Sequence, residues 1–152
     1  MQFNISFDVA GSPDLGSLMS CEQQAILDTA NAAATIWSWY LTPTNVTVDL
    51  TITVDNSLFS GTTLAEGGPA NFIRTGADFA GKHVYESNTA VELRTGVDRN
   101  GSSADLDIGL TVNSIRNMMA FETDDYATVR AAAMTRFRSF SMRLGMILVS
   151  CT

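Results

Sequence analysis

The sequence predicts an α+β domain, a twisted mixed β-sheet with one long helix packed on one face. Three observations carry this. Residues 2–9 and 46–54 alternate apolar and polar side chains with the period of a strand. Residues 21–40, between them, repeat apolar side chains with the period of a helix. Shorter alternating runs return after a long stretch rich in Gly, Ser, Thr and Asn.

In the first strand Phe3, Ile5, Phe7 and Val9 share one side and Gln2, Asn4, Ser6 and Asp8 the other, until Gly11, Ser12 and Pro13 end it. The helix has Ser20 as its expected N-cap, Gln23 at the capping-box position and Glu22 in its first turn. Ile26, Ala30, Ala33, Ala34, Trp37 and Tyr40 form its apolar face, with Trp37, Trp39 and Tyr40 expected in the core or at its rim. Pro43 stops it. Val46, Val48, Leu50, Ile52 and Val54 make the second strand, dominated by β-branched residues. Residues 55–82 read as a long surface loop with one short helix near 69–76, and His83 as an exposed loop histidine. Residues 88–95 and 104–112 are the third and fourth strands, with Leu106, Ile108 and Leu110 most simply core residues. A helical turn is expected at 114–120, and a helix without a clean face at 126–143.

At 152 residues, 45% apolar and 16% charged, the chain is one globular domain able to bury a sizeable core. Its net charge of −7 argues against nonspecific nucleic-acid binding. It has no apolar run of membrane-spanning length. The opening MQFNISFDVA has no basic n-region and alternates, so it predicts a strand rather than a signal peptide. Cys21 and Cys151 allow at most one disulfide and do not fix the compartment. A monomer is expected. With His83 as the only histidine, no Ser-His-Asp or Cys-His catalytic arrangement can form, and there is no glycine-rich phosphate loop. Asp98, Asn100, Asp105 and Asp107, in DRNGSSADLD, are the candidate calcium ligands, because closely spaced oxygens meet there at a glycine turn. A plain turn at Asn100-Gly101 is the competing reading, favoured by the absence of a closing glutamate.

Charge is unevenly distributed. All 16 acidic residues lie at or before Asp125, where the balance is −11; the last 27 residues hold Arg130, Arg136, Arg138 and Arg143 and no acid. Such a break marks a boundary, a basic tail or a change of reading frame. The expected division is therefore 1–125 and an aberrant tail, 126–152.

The run GVDRNGSSADLDIGL at 96–110, followed by NSIRNMMAFETD at 114–125, resembles bacterial secreted zinc metallopeptidases related to the serralysin-like metzincins. The order of a NISFD strand, an alanine-rich helix with tryptophan and the strand VTVDLTITV is similar too, so the resemblance covers about 1–125. It implies the upper subdomain of a metzincin, secretion, a protein or peptide substrate, and zinc-dependent endopeptidase activity in intact relatives. It also implies that Leu106, Ile108 and Leu110 lie on the edge strand that pairs with an extended substrate. The zinc helix with its HExxH motif should come next and is missing. A catalytic zinc takes three protein ligands, and one histidine cannot supply them. No catalytic residue and no metal ligand is therefore assigned.

The tail supplies a reason. Codons permitted for Ser141 to Thr152 (SMRLGMILVSCT), read one base out of register, yield HEIGHDIGFLY, and the preceding codons permit DAVS. That pattern is the zinc helix of the family the chain resembles. The expectation is a frameshift at roughly residues 125–135 and an inactive, truncated peptidase-like domain. The alternative is a noncatalytic secreted binding domain on the same scaffold.

Overall fold

A computed structural model describes residues 1–41, 45–59, 63–117 and 119. The expected helix at 126–143, the rest of the tail and any Cys21–Cys151 pairing lie outside the described residues.

The order of elements is β1 (Gln2–Phe7), a short 3-10 turn, α1 (Ser20–Tyr40), β2 (Thr47–Val54), β3 (Ala65–Pro69), β4 (Phe72–Phe79), β5 (Lys82–Ser87), α2 (Asn88–Thr95), β6 (Leu106–Leu110) and α3 (Val112–Asn117). The fold is α+β with mixed sheets. The main sheet runs β1-β2-β6-β3. Its first three strands are mutually parallel, and β3 runs antiparallel to β6. β4 and β5 form a separate antiparallel pair.

The alternation of the strands decides which face is buried. In register, Ile5 lies beside Leu50, Phe7 beside Ile52, and Ile52 beside Ile108. These side chains join Val54 and Leu110 in one core with Leu18, Ile26 and Ile115, and with Leu27 and Ala30 of α1 packed against it. The opposite face carries a polar ladder. Asn4 Nδ2 donates to Asp49 Oδ1 at 2.6 Å, and the Thr51 hydroxyl donates to the Asp107 carboxylate.

Several sequence expectations are corrected. Helix α1 starts one residue earlier than expected. Met19, not Ser20, is its N-cap, and the Met19 N–H donates to Glu22 Oε2 at 2.7 Å. Gln23 turns back instead to the Leu15 and Leu18 carbonyls. Trp37, Trp39 and Tyr40 are exposed, at 60%, 74% and 77%, because the packed face of α1, with Ile26 and Ala34 its two buried residues, ends at Ala34. The expected loop at 55–82 contains β3 and β4, and β4 spans the place of the expected short helix. His83 sits on β5. Residues 88–95 are helical, not extended: the Ser87 side chain caps Ala90 N, and Gly96 in the left-handed region (φ 72°) ends the helix.

Candidate functional site

Strand β3 is one end of the main sheet and β1 the other. The sequence of β3, AEGGP, leaves it almost wholly exposed, and among the described residues it pairs with β6 alone. Because Glu66 pairs with Gly109 and Gly68 with Asp107, these four lie on the face turned away from α1. A cleft of about 400 Å³ opens on that face, its walls including Asp8, Glu66, Asp107, Leu58 and Phe59. Gly109 lets one wall form. A Cβ there would meet Leu58 Cδ1 at 2.8 Å and Phe59 Cζ at 3.4 Å, so both side chains lie down over the strand only because it is glycine. Residues 55–58 are held in place from both sides: Asp55 N–H donates to the Leu110 carbonyl, and Asn56 N–H to Asp14 Oδ2. The Ser57 hydroxyl and backbone N–H hold the Asp55 carboxyl below its ordinary range.

Leu106, Ile108 and Leu110, expected on the substrate-pairing edge, stand on an interior strand. β6 has β2 on one side and β3 on the other, so its backbone groups are already engaged. On this side the sheet ends at β3, which has no second strand partner among the described residues. No strong sequence pattern marks it, since a short glycine-rich strand has too few side chains to alternate.

Each of the four candidate calcium ligands is engaged in hydrogen bonds, Asn100 with both Asp98 and Asp105. Asp98 Oδ1 accepts the N–H groups of Asn100 and Gly101, making an Asx turn with Gly101 at φ 62°. Asn100 Nδ2 donates to the Ser103 and Ala104 carbonyls and to Asp105 Oδ1. Asp105 Oδ2 accepts the Asp49 N–H at 2.8 Å. Asp107 is taken by Thr51. The turn at Asn100-Gly101 exists, but it links a helix to a strand instead of closing a hairpin. No group of three or more His, Cys, Asp or Glu side chains among the described residues is arranged to hold a metal. His83 lies on the β4–β5 pair, its Nδ1 2.8 Å from Asp78 Oδ1, which also receives Arg74. Such a donor set does not fit a hydrolytic zinc.

A residue that the sequence reading passed over lies under this turn. Glu92 of α2 is 1% exposed, as is Asp105. Glu92 Oε1 accepts Asn88 Nδ2 at 2.6 Å and the Arg99 N–H at 3.0 Å. Its Oε2 accepts no hydrogen bond. Burial pushes the Glu92 carboxyl above its ordinary value, the Arg99 N–H opposes this, and the Asp105 and Asp98 carboxyls add to the rise. The signals were available: Ser87 as a cap, Arg94 in the last turn and Gly96 after it spell a short helix that turns Glu92 inward.

No helix among the described residues is long and apolar enough to cross a membrane. Compared with protein-family models, curated proteins and solved structures, the chain matches none.

Proposed function

We propose that this chain is the front part of a secreted zinc metallopeptidase-like domain, a metzincin-like upper subdomain whose zinc helix is lost to a frameshift. The scaffold then keeps a surface for an extended peptide and lacks the hydrolytic centre. The observation that supports this best is the end of the sheet. Three parallel strands finish in one exposed antiparallel strand, β3, whose outer edge pairs with no other strand among the described residues, beside a cleft. An extended peptide can add to such an edge through main-chain hydrogen bonds, its alternate side chains reaching the cleft. In intact relatives the zinc would polarise the scissile carbonyl and its bound water; among the described residues His83 and its neighbours form no such group.

Sequencing the gene through and beyond the codon for Thr152 tests the reading. The expected result is HEIGH in the shifted register, continuing into an open frame. A chain repaired at the shift should bind stoichiometric zinc and cleave casein, while the chain as it stands should do neither. Codons that do not encode HEIGH when shifted, or stoichiometric zinc in the unrepaired chain, would overturn it. The open edge also favours the second reading, a noncatalytic binding domain. A continuous frame together with saturable binding of an extended peptide would decide for that one.

A further inference from the structure

Glu92 and Asp105 are both buried, and both belong to one network. Asn88 Nδ2 bridges Glu92 Oε1 and Asn100 Oδ1, and Asn100 Nδ2 reaches Asp105 Oδ1. Two buried carboxylates at close quarters need a neutralising charge, because an unpaired buried charge is far more costly than a neutral acid. Neither neighbouring arginine bonds to the pair through its guanidinium. Arg94 Nη2 pairs with Glu86 Oε2 at 2.7 Å, and Arg99 offers Glu92 only its backbone N–H. The other ionisable groups bearing on the site are carboxylates: Asp98, in the same turn, and Asp49, on β2, whose side chain accepts from Asn4. A metal would need several uncommitted oxygens. Those of Asn100, Ser103, Ala104 and Asp105 already accept hydrogen bonds, and of the buried side-chain oxygens Glu92 Oε2 alone accepts none.

We infer that Glu92 and Asp105 share one proton, carried on Glu92 Oε2 and donated to the Asp105 carboxylate, and that this proton locks the 98–105 turn onto α2. The lock reaches the sheet edge. The Asp105 backbone carbonyl accepts the Thr89 hydroxyl at 2.8 Å and the Ala70 N–H at 2.9 Å, just beyond the end of β3. α2, the start of β6 and the end of β3 therefore meet at Asp105. The direction with pH follows. A carboxyl whose folded value is raised contributes stability that is full below its unfolded value and lost as pH rises through the folded one. Alkali should open the lock and loosen the end of the edge strand.

The test is a pH titration of the full 152-residue chain and of Glu92→Gln, which keeps the shape of the neutral acid. The Glu92 carboxyl carbon, followed by NMR, should titrate above the ordinary glutamate range. Above that transition the Ala70 amide of the wild type should exchange at least several-fold faster than in the variant. Glu92→Gln should melt about 3 °C higher than the wild type in that range, and within about 1 °C of it in mild acid. The inference fails if the carboxyl titrates as an ordinary glutamate, or if Glu92→Gln loses the same stability at every pH. It also fails if millimolar calcium raises the wild-type melting temperature but not the variant's, since a cation rather than a proton would then neutralise the pair.

Discussion

At the foot of α1 Glu22 meets a cation, whereas within α2 Glu92 meets a second carboxyl. Glu22 accepts from Arg116 at both oxygens, Nε at 2.8 Å and Nη2 at 2.9 Å, and Arg116 also reaches the Ser17 carbonyl. Hydrogen bonding from Arg116 holds the Glu22 carboxyl below its ordinary value, against the opposing effect of burial. Both glutamates tie a helix to another segment, Glu22 to Arg116 far along the chain and Glu92 to the turn that follows its own helix. One does so as an anion and is weakened by acid; the other, if neutral, is weakened by base. Burial without a cation separates them, because both accept backbone or amide donors.

The largest expected effect comes from removing the buried acceptor. Asp105→Ala strips partners from the Asp49 N–H and from Asn100, and leaves Glu92 buried with no acceptor for a proton. A loss of about 2–4 kcal/mol is expected, read from urea unfolding at neutral pH. A loss below about 1 kcal/mol would mean that the junction of α2, β6 and β3 is held by packing, and the contrast with Glu22 would lose its structural meaning.

Glu22→Gln should cost less, about 1 kcal/mol at neutral pH, since Arg116 is partly exposed and solvent screens the pair. The sign with pH is the reverse of that at Glu92. A depressed carboxyl contributes above its unfolded value of about 4.5 and loses the contribution as pH falls through its folded value. The gap between wild type and variant should therefore close on acidification. A gap that widens in acid would break the comparison.

The same contrast explains how much was legible in the sequence. β1, α1, β2 and β6 each bury one face, so their apolar residues repeat with the period of the element. Among the described residues, β4 and β5 hold no buried side chain. Phe72, Phe79 and Tyr85 are all exposed, and without a buried side there is no alternation to read. Their turn, Ala80-Gly81, has both residues at positive φ (51° and 74°), the geometry of a two-residue hairpin turn, but alanine in place of the usual Asn or Asp hides it. In α2, Val91 and Leu93 lie two apart and imitate a strand, while the information sat in the flanking Ser87 and Gly96. Asn100 and Asp105, close together in the run DRNGSSADLD, do meet by a hydrogen bond. Glu92 joins them only because its segment is helical, a state its apolar spacing hides.

The smallest effect is expected at the cleft, where the contrast is between a buried lock and an open wall. Gly109 has an ordinary strand backbone, so alanine there carries no conformational penalty. The new Cβ would crowd Leu58 Cδ1, the free end of a partly exposed side chain that can turn outward. Gly109→Ala should thus change stability by no more than about 0.5 kcal/mol in urea unfolding. Displacing Leu58 also alters the wall facing β3. If an extended peptide pairs with that strand and drops a side chain into the cleft, the substitution should weaken peptide binding several-fold by titration calorimetry while unfolding stays unchanged. Equal binding by both chains would place the peptide's side chains elsewhere, and a large loss of stability would show that Leu58 and Phe59 are part of the core and not the wall of a site.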